Sequence, residues 1–186
     1  MVNLDRCTGC YSCEITCKME NDIALGDIGT KCCSAGPSAT TQHDALPASH
    51  HVPAVRRCPC VRVSHRASYR DGNNVVLIDR EKCIGCKYCM MACPYGVRDW
   101  NKASKTVEKC TLCGHLTVNG ELPACVKSCS AGARFYGDLD DPNSDVSKEL
   151  AKYDAADIHE LPNVGNNPCT KYIMTSMHGE WMEGAE

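Results

Sequence analysis

The stretch Cys7-Thr-Gly-Cys-Tyr-Ser-Cys-Glu-Ile-Thr-Cys17 decides the fold of this chain, because its four cysteines are separated by two, two and three residues. The same spacing returns in Cys83-Ile-Gly-Cys-Lys-Tyr-Cys-Met-Met-Ala-Cys93, and Pro94 follows the fourth cysteine. A cubane 4Fe-4S cluster takes three thiolates from one tight loop of this kind, while the fourth cysteine is directed elsewhere. The repeat therefore predicts iron–sulfur clusters and, with them, electron transfer.

A third cysteine block opens and closes with the same intervals but carries a longer insertion in its middle. Twelve of the 17 cysteines therefore fall into three sets of four. The candidate cluster ligands are Cys7, Cys10, Cys13, Cys17, Cys83, Cys86, Cys89, Cys93, Cys110, Cys113, Cys125 and Cys129, with Cys58 and Cys60 as further candidates.

Disulfide cross-links and zinc are two other uses of so many cysteines. A secreted disulfide scaffold is disfavoured because the count is odd, no signal peptide is found, and cysteines three positions apart suit a metal centre better. Zinc uses C-x2-C pairs in many folds, but two pairs complete a site, so the third and fourth cysteines of each run would be surplus. Disulfides and zinc therefore remain alternative interpretations of these cysteines.

Length and composition limit the other functions. The 186 residues correspond to one domain or two small ones, and with 5% aromatic residues the core needs help from metals or cross-links. A net charge of -3 gives no reason to expect a nucleic-acid partner. No run of 18 apolar residues exists, so we expect no direct membrane span and any membrane link to come through a partner.

Short strands and helices are predicted around the cluster loops, which gives an α+β fold class. Residues 2–4 and 74–79 resemble strands, and each segment leads into a cluster loop. Residues 133–136, after the last motif cysteine, are a third strand candidate. Each repeat is thus expected to contain a strand, a cluster loop and a short helix.

The C-terminal part of the chain has no motif cysteines. Ser144 is the predicted N-cap of a helix that runs to about Tyr153. The Gly-Asn-Asn-Pro sequence at 165–168 then favours an extended arm. Cys169 lies in that arm without cysteine neighbours, and we expect it to be an inert thiol.

Longer signatures surround the cysteines: DRCTGCYSCEITCKMEN, DREKCIGCKYCMMACPYGVRDWN, KCTLCGHLTVNGELPACVKSCSAGARFYGDLDDPNS and NNPCTKYI. Over residues 2–21 and 69–173 the chain resembles the four-cluster ferredoxin-like beta subunits of the molybdopterin oxidoreductase superfamily, of the dimethyl sulfoxide, polysulfide and thiosulfate reductase type. Such subunits resemble two fused bacterial ferredoxins and pass electrons along four 4Fe-4S clusters. The resemblance implies two partners, an integral membrane anchor that reacts with quinone and a molybdopterin-containing catalytic subunit.

The resemblance also implies a duplicated bacterial-ferredoxin-like fold with small strands, cluster loops, short helices and long irregular segments. Residues 1–25 and 105–137 would form one half, which holds two intact clusters. Residues 26–104 would form the other half, degraded at 27–66, and residues 138–186 a C-terminal helix and extended arm. In paired ferredoxin motifs the fourth cysteine ligates the cluster of the partner motif. The implied ligand sets are Cys7, Cys10, Cys13 with Cys129, and Cys110, Cys113, Cys125 with Cys17.

The second half departs from the family pattern. The family has a further motif at about residues 50–67 that closes in Cys-Pro-Thr-Gly, whereas this chain has only Cys58 and Cys60 there, with Ser64-His65-Arg66 at the closing position. The cluster on Cys83, Cys86 and Cys89 therefore lacks its expected fourth thiolate. Two 4Fe-4S clusters are well supported, up to four can be counted, and one is expected to be 3Fe-4S or absent.

Residues 27–66 differ in kind from their flanks, with four of the seven histidines and a Cys32-Cys33 pair that fits no motif. Gly29-Thr30-Lys31-Cys32-Cys33 and Ser64-His65-Arg66 can both be written as out-of-frame readings of common family sequences. One hypothesis is that the segment is frame-shifted, and the other is that it is a divergent loop with a histidine ligand or a three-iron cluster. Under either hypothesis we expect it to be irregular and poorly packed.

The leading function is an electron-transfer subunit that catalyses no bond-making chemistry itself. A free-standing polyferredoxin that diffuses between partners is the alternative, and a zinc-binding interaction module is a third reading. The insertion Gly114–Leu122 is expected either to lie near a partner-docking surface or to form a hairpin turn at Asn119-Gly120. The resemblance allows two locations, the periplasmic side of the membrane after co-export with a partner, or the cytoplasm.

Overall fold

A computed structural model describes residues 1–23 and 55–175 of the chain. The helices are α1 Ser12–Glu20, α2 Pro59–Val63, α3 Tyr88–Met91, α4 Gly114–Thr117, α5 Ala124–Lys127 and α6 Asp145–Leu150, with a 3-10 turn at Ala155–Asp157. The strands are β1 Val2–Asn3, β2 Ser68–Arg70, β3 Val76–Ile78, β4 Asp99–Asn101, β5 Thr106–Glu108, β6 Ile158–His159 and β7 Tyr172–Ile173. This mixture of short helices and strands confirms the α+β class, and β1 and β3 lie where strands were predicted.

A three-stranded sheet joins the two ends of the described chain. β7 lies between β1 and β6, parallel to β1 and antiparallel to β6. Tyr172 and Ile173 are fully buried in this sheet, and Val2 packs beside them. The predicted arm therefore contains the central strand of a sheet, because its apolar side chains complete the core beside the first cluster loop.

Two antiparallel hairpins, β2–β3 and β4–β5, flank the second cysteine motif. Asp71 shapes the first hairpin, since its carboxylate accepts hydrogen bonds from the backbone N–H groups of Asn73 and Val75. Val76 of β3 and Val107 of β5 are each 1% exposed and belong to one hydrophobic core. The hairpins thus give the second motif an apolar support.

Two helix pairs hold the cysteine segments together. α1 packs against α5, and α2 packs against α3. In α1, Cys13 and Cys17 are four residues apart and therefore share the buried face. Each pair thus combines a helix from a C-x2-C-x2-C-x3-C run with a helix from another part of the chain.

The segment after the last motif cysteine folds back on the N-terminus. Ser144 caps α6 as predicted, with its hydroxyl accepting a hydrogen bond from the Ser147 backbone N–H. From the end of this helix, Glu149 forms an ion pair with Arg6 at 2.6 Å, and the Tyr153 hydroxyl accepts a 2.7 Å hydrogen bond from the Asn3 side chain. α6 is therefore attached to the segment that leads into the first cluster loop.

Three local expectations were wrong. Residues 133–136 make only an isolated antiparallel bridge, Val2 to Arg134, on the edge of β1 that faces away from β7, because β1 is itself only two residues long. The insertion Gly114–Leu122 begins with α4 and turns at Gly120, so the hairpin reading does not hold. Residues 55–66 are not poorly packed, since they include α2 and bury Cys60 in the core.

The rest of the atypical segment, residues 27–54, lies outside the described residues. The Cys32-Cys33 pair and three of its four histidines are there, as is the Gly29–Cys33 part of the frame-shift hypothesis. Residues 176–186 of the predicted arm also lie outside them.

Candidate metal centre

The first two cysteine loops have the same backbone conformation. In the first loop, Gly9 and Tyr11 have φ angles of 67° and 59°, and in the second, Gly85 and Lys87 have 71° and 61°. Helices α1 and α3 each begin directly after the second of these residues. Left-handed residues at both sides of the second cysteine turn the chain tightly enough to bring three cysteines into one loop.

The third cysteine loop reaches its turn by other residues. Leu112 and Cys113 have φ angles of 57° and 50°, and α4 begins at the next residue. The Leu112 backbone N–H points at the Cys110 sulfur, 3.4 Å away. This is the kind of amide-to-sulfur contact that stabilises a cluster thiolate.

Four motif cysteines from three segments line a single cavity of about 1300 Å³. They are Cys17 from α1, Cys110 and Cys113 from the third loop, and Cys125 from α5. The Asn21 side-chain amide lies 3.7 Å from both the Cys17 and the Cys113 sulfur, so these two sulfurs contact one amide group. The structure therefore gathers one complete predicted ligand set.

Members of the other predicted set in this half lie beside the first. Cys13 and Cys125 form a small buried cluster, and Cys7 packs against it. Cys129, the predicted fourth ligand for the first loop, accepts a 3.3 Å hydrogen bond at its sulfur from the Ala133 backbone N–H. Cys10 is exposed at the outside of the loop.

Burial controls the protonation of two thiols in the metal-free chain. Burial raises the pKa of Cys125 to about 12, and the nearby thiols of Cys110, Cys17 and Cys113 add to the effect while Arg134 opposes it. Burial also raises the pKa of Cys110, against the influence of the Lys109 ammonium group. These thiols therefore hold their protons until a metal displaces them, as is usual for thiolate metal sites.

Lys109 is a cation positioned beside Cys110. Its ammonium group donates hydrogen bonds to the backbone carbonyls of Val76, at 2.6 Å, and of Cys110. Burial lowers the pKa of Lys109 to about 8, although the Cys110 and Cys93 thiols raise it. The side chain thus links β3, which precedes the second motif, with the third cysteine loop.

The second site is built differently. A pocket of about 20 Å³ is lined by Cys83, Cys86 and Cys89 of the second motif, together with Ser64 and His65. No fourth cysteine of the described residues lines this pocket. Cys93, the last cysteine of the motif, is half-buried outside it.

Cys58 and Cys60, the two further candidate ligands, are joined to each other by a disulfide bond. In this structure neither therefore presents a thiolate. The Cys60 sulfur accepts a 2.9 Å hydrogen bond from the Arg98 guanidinium, which is 4% exposed. Sequence reasoning missed Arg98, although a signal for it exists, because Gly96-x-Arg98 and Gly132-x-Arg134 recur at the same distance after Cys93 and Cys129.

A site for a single metal ion is a compact group of ligands. A tetrahedral zinc ion with bonds of about 2.3 Å needs sulfurs roughly 3.8 Å apart. Within residues 1–23 and 55–175, no three His, Cys, Asp or Glu side chains are grouped so as to hold one metal ion. The donor set is instead all-thiolate, gathered around a cavity, as an inorganic iron–sulfur core requires.

In the described part of the chain, none of the helices is both long and apolar enough to cross a bilayer.

Comparisons with known proteins agree with this chemistry. The 4Fe-4S dicluster domain family matches residues 52–139. The iron–sulfur protein assigned to dimethyl sulfoxide reductase in Halobacterium salinarum is 36% identical, with 95% of this chain and 79% of the relative covered. A sulfite dehydrogenase subunit of Allochromatium vinosum is 34% identical over 96% of this chain and 84% of the relative. The thiosulfate reductase electron transfer subunit of Salmonella typhi is 34% identical over 73% of each chain.

These matches extend well beyond the cysteine spacing and cover most of each relative. They confirm 4Fe-4S clusters as the cofactor and an electron-transfer role rather than a catalytic one. The chain therefore belongs to the family of 4Fe-4S electron-transfer subunits of these oxidoreductases.

Proposed function

We propose that this chain relays single electrons between a membrane-bound, quinone-reactive subunit and a molybdopterin-containing catalytic subunit. The single observation that carries the relay is the convergence of Cys17, Cys110, Cys113 and Cys125 on one cavity. A complete thiolate set from separate segments is what a permanently held cluster needs. The named relatives support the setting, since they are subunits of reductases and a dehydrogenase.

The ligand sets follow the pairing of helices. Because α1 packs against α5, the first loop and the third block can exchange their fourth cysteines. One cluster would be held by Cys7, Cys10, Cys13 and Cys129, and the other by Cys110, Cys113, Cys125 and Cys17. The second helix pair, α2 with α3, supports a duplicated ferredoxin-like fold in which residues 1–25 and 105–137 form one half and residues 26–104 the other.

The chain's own groups would set the cluster potentials. When bound, each cluster supplies a site that accepts and releases one electron. The backbone N–H groups of Leu112 and Ala133 point at the sulfurs of Cys110 and Cys129, and such hydrogen bonds favour the reduced, more negative state. Lys109 adds a positive charge beside Cys110, which also favours the reduced state.

The first test is the metal content of the anaerobically purified chain. We expect a brown protein that bleaches on reduction, with roughly eight irons and eight sulfides for two intact clusters and more if the second half is loaded. A colourless, zinc-containing preparation would contradict the proposal. Low-temperature EPR of the reduced protein then counts the clusters.

The second test concerns the partners and the location. Co-expression of the chain with a molybdopterin-containing catalytic subunit from the same genome should yield a stable complex on size exclusion, in which the catalytic subunit oxidises or reduces the clusters. A chain that migrates alone would favour the freely diffusing polyferredoxin. Fractionation of the native complex decides between the periplasmic side of the membrane, reached by co-export, and the cytoplasm.

A further inference from the structure

The pocket of the second motif contains three motif cysteines and one half-buried hydroxyl. Cys83, Cys86 and Cys89 line it together with Ser64, the residue after α2, and with Ser68, whose buried hydroxyl accepts a hydrogen bond from Arg98. The Cys60 sulfur, the candidate ligand within α2, does not line the pocket. Oxygen rather than sulfur is therefore the fourth donor available among the described residues, apart from the exposed imidazole of His65.

The chain's internal repeat gives Ser64 a counterpart in the complete half. Cys60-Val-Arg-Val-Ser64 at α2 matches Cys125-Val-Lys-Ser-Cys129 at α5, so that Ser64 occupies the position of Cys129. Both helices pack on the helix of a C-x2-C-x2-C-x3-C run, α2 on α3 and α5 on α1. Ser64 therefore follows the helix that packs beside the second loop, just as Cys129 follows the helix that packs beside the first.

The hydrogen bonds at the two positions also correspond. The backbone N–H four residues after Cys129, that of Ala133, donates to its sulfur at 3.3 Å. The backbone N–H four residues after Ser64, that of Ser68, donates to its hydroxyl oxygen at 3.0 Å. The oxygen of Ser64 is therefore held by the same contact that holds the sulfur of a cluster ligand, although the side chain differs.

A buried cation lies behind Ser64. Arg98 is 4% exposed and donates to the Ser68 hydroxyl at 2.9 Å and to the Cys60 sulfur. Among residues 1–23 and 55–175, no carboxylate forms an ion pair with Arg98. A buried guanidinium without an anion is costly, and an iron–sulfur cluster with three thiolates carries the negative charge that would balance it.

From these contacts we infer that the second motif holds a cluster on the thiolates of Cys83, Cys86 and Cys89, with the Ser64 oxygen as the ligand of the fourth iron. The inference rests on the proposed iron–sulfur function. An oxygen donor binds a soft iron–sulfur core less firmly than a thiolate does, so this iron is the one that leaves first. Oxidation by a one-electron acceptor converts the [4Fe-4S]2+ core to [3Fe-4S]+, with release of one Fe2+ ion and transfer of one electron to the acceptor.

The experiment is stoichiometric oxidation of the anaerobic full-length chain with ferricyanide, in the presence of an iron(II) chelator. The wild-type protein should release one Fe2+ per chain and develop the EPR signal of an oxidised three-iron cluster. Ser64→Cys should suppress both, because four thiolates then hold the core. Ser64→Ala should release the iron at least as readily as wild type does, and Cys89→Ser should lose the signal.

Three controls separate this assignment from its competitors. His65→Ala and Cys60→Ser should behave like wild type, whereas iron release that is faster in either variant than in Ser64→Ala would transfer the role to that residue and overturn the inference. Persistence of iron release in Ser64→Cys would overturn it as well. A wild-type chain with iron in the first half only, unchanged by Cys89→Ser, would overturn the inference but leave the proposed function intact, and a chain without iron would remove both.

Discussion

The two cysteine regions of this molecule share a scaffold but differ in what they can bind. In the first, four motif cysteines from three segments line a cavity of about 1300 Å³. In the second, three cysteines and two serines line a pocket of about 20 Å³, which is the size of a single water. The backbone conformation of a cluster loop therefore does not require a full set of cysteine ligands.

The reason is that other interactions hold the second region. Val76 and Val107 form the core beneath it, and Cys60 is buried in the same core. The Ser64 hydroxyl accepts the hydrogen bond that orients its segment, so the replacement of a sulfur by an oxygen leaves the turn intact. Because the pocket is small, a cluster there requires outward movement of the exposed parts of the loop, such as Cys86.

The largest effect is expected from removal of a thiolate in the complete region. Cys17→Ala should eliminate one cluster, a loss of about four irons per chain, because alanine offers the cluster no ligand at that position. Cys93→Ala is the matched change in the second region and should leave the iron content nearly unchanged, since the Cys58–Cys60 disulfide removes its candidate co-ligands. Iron and sulfide quantification checks both.

Cys169→Ser is the control for this experiment. Cys169 lines the same large cavity but lies outside every motif, and its thiol contacts the Asn167 carbonyl at 3.7 Å. We expect full iron content in this variant. Loss of iron would mean that Cys169 takes part in the first region, and a similar loss in Cys93→Ala would mean that the second region is complete.

The next effect comes from the matched glycines of the two loops. Gly9 and Gly85 have φ angles of 67° and 71°, so alanine at either position costs about 1–2 kcal/mol from the left-handed backbone. A Cβ at Gly85 would also lie 2.9 Å from the Trp100 ring and 3.2 Å from the Lys105 carbonyl, whereas at Gly9 it meets nothing within 4 Å. Overpacking of this kind adds about 1–3 kcal/mol.

Gly85→Ala should therefore destabilise the protein at least twice as much as Gly9→Ala does, roughly 2–5 against 1–2 kcal/mol in urea unfolding. Gly85→Ala combined with Trp100→Leu should recover part of the difference, because the shorter side chain relieves the contact. Equal losses for the two glycines would show that the second loop is as loosely packed as the first. Such a result would contradict the tighter packing of the second loop relative to the first.

Local features of this fold could be predicted from the sequence because they depend on interactions between residues that are close in sequence. The spacing of cysteines with Gly9 and Gly85 predicted two loops, and both have the same left-handed turns. The β-branched run at 74–79 became β3, and Ser144 caps α6. In each case the responsible contacts lie within a few residues of one another.

Long-range features could not be read in this way. The central position of β7 depends on a pairing between Val2 and Tyr172, which lie at opposite ends of the described chain. The burial of Arg98 depends on Ser68 and Cys60, about 30 and 40 residues away. Ser64 looked like a missing ligand in the sequence, and only the pairing of α2 with α3 places it opposite the second motif.

The smallest effect is expected from weakening the contact between α6 and the first region, since α6 supports only that region. Glu149 is 6% exposed at its side chain and forms ion pairs with Arg6 and Lys152. Burial alone would raise the pKa of Glu149, but the hydrogen bond from Lys152 and the Arg6 charge outweigh it, and the pKa is lowered. Glu149→Gln should cost about 1–3 kcal/mol at neutral pH, because the charge-assisted bonds are lost.

The pH dependence of this loss follows from the lowered pKa. The carboxylate contributes its full stability above its usual pKa of 4.5, and the contribution disappears as the pH falls through the lower value of the folded state. The difference in unfolding free energy between wild type and Glu149→Gln should thus be constant from pH 8 to 5 and shrink below pH 4.5. Glu121→Gln, which removes an exposed ion pair with Lys127, is the control and should change little at any pH. Glu149→Gln should also affect iron retention in the first region, which contains Cys13, more than in the second, which contains Cys89. Equal effects on both regions would mean that α6 supports both of them.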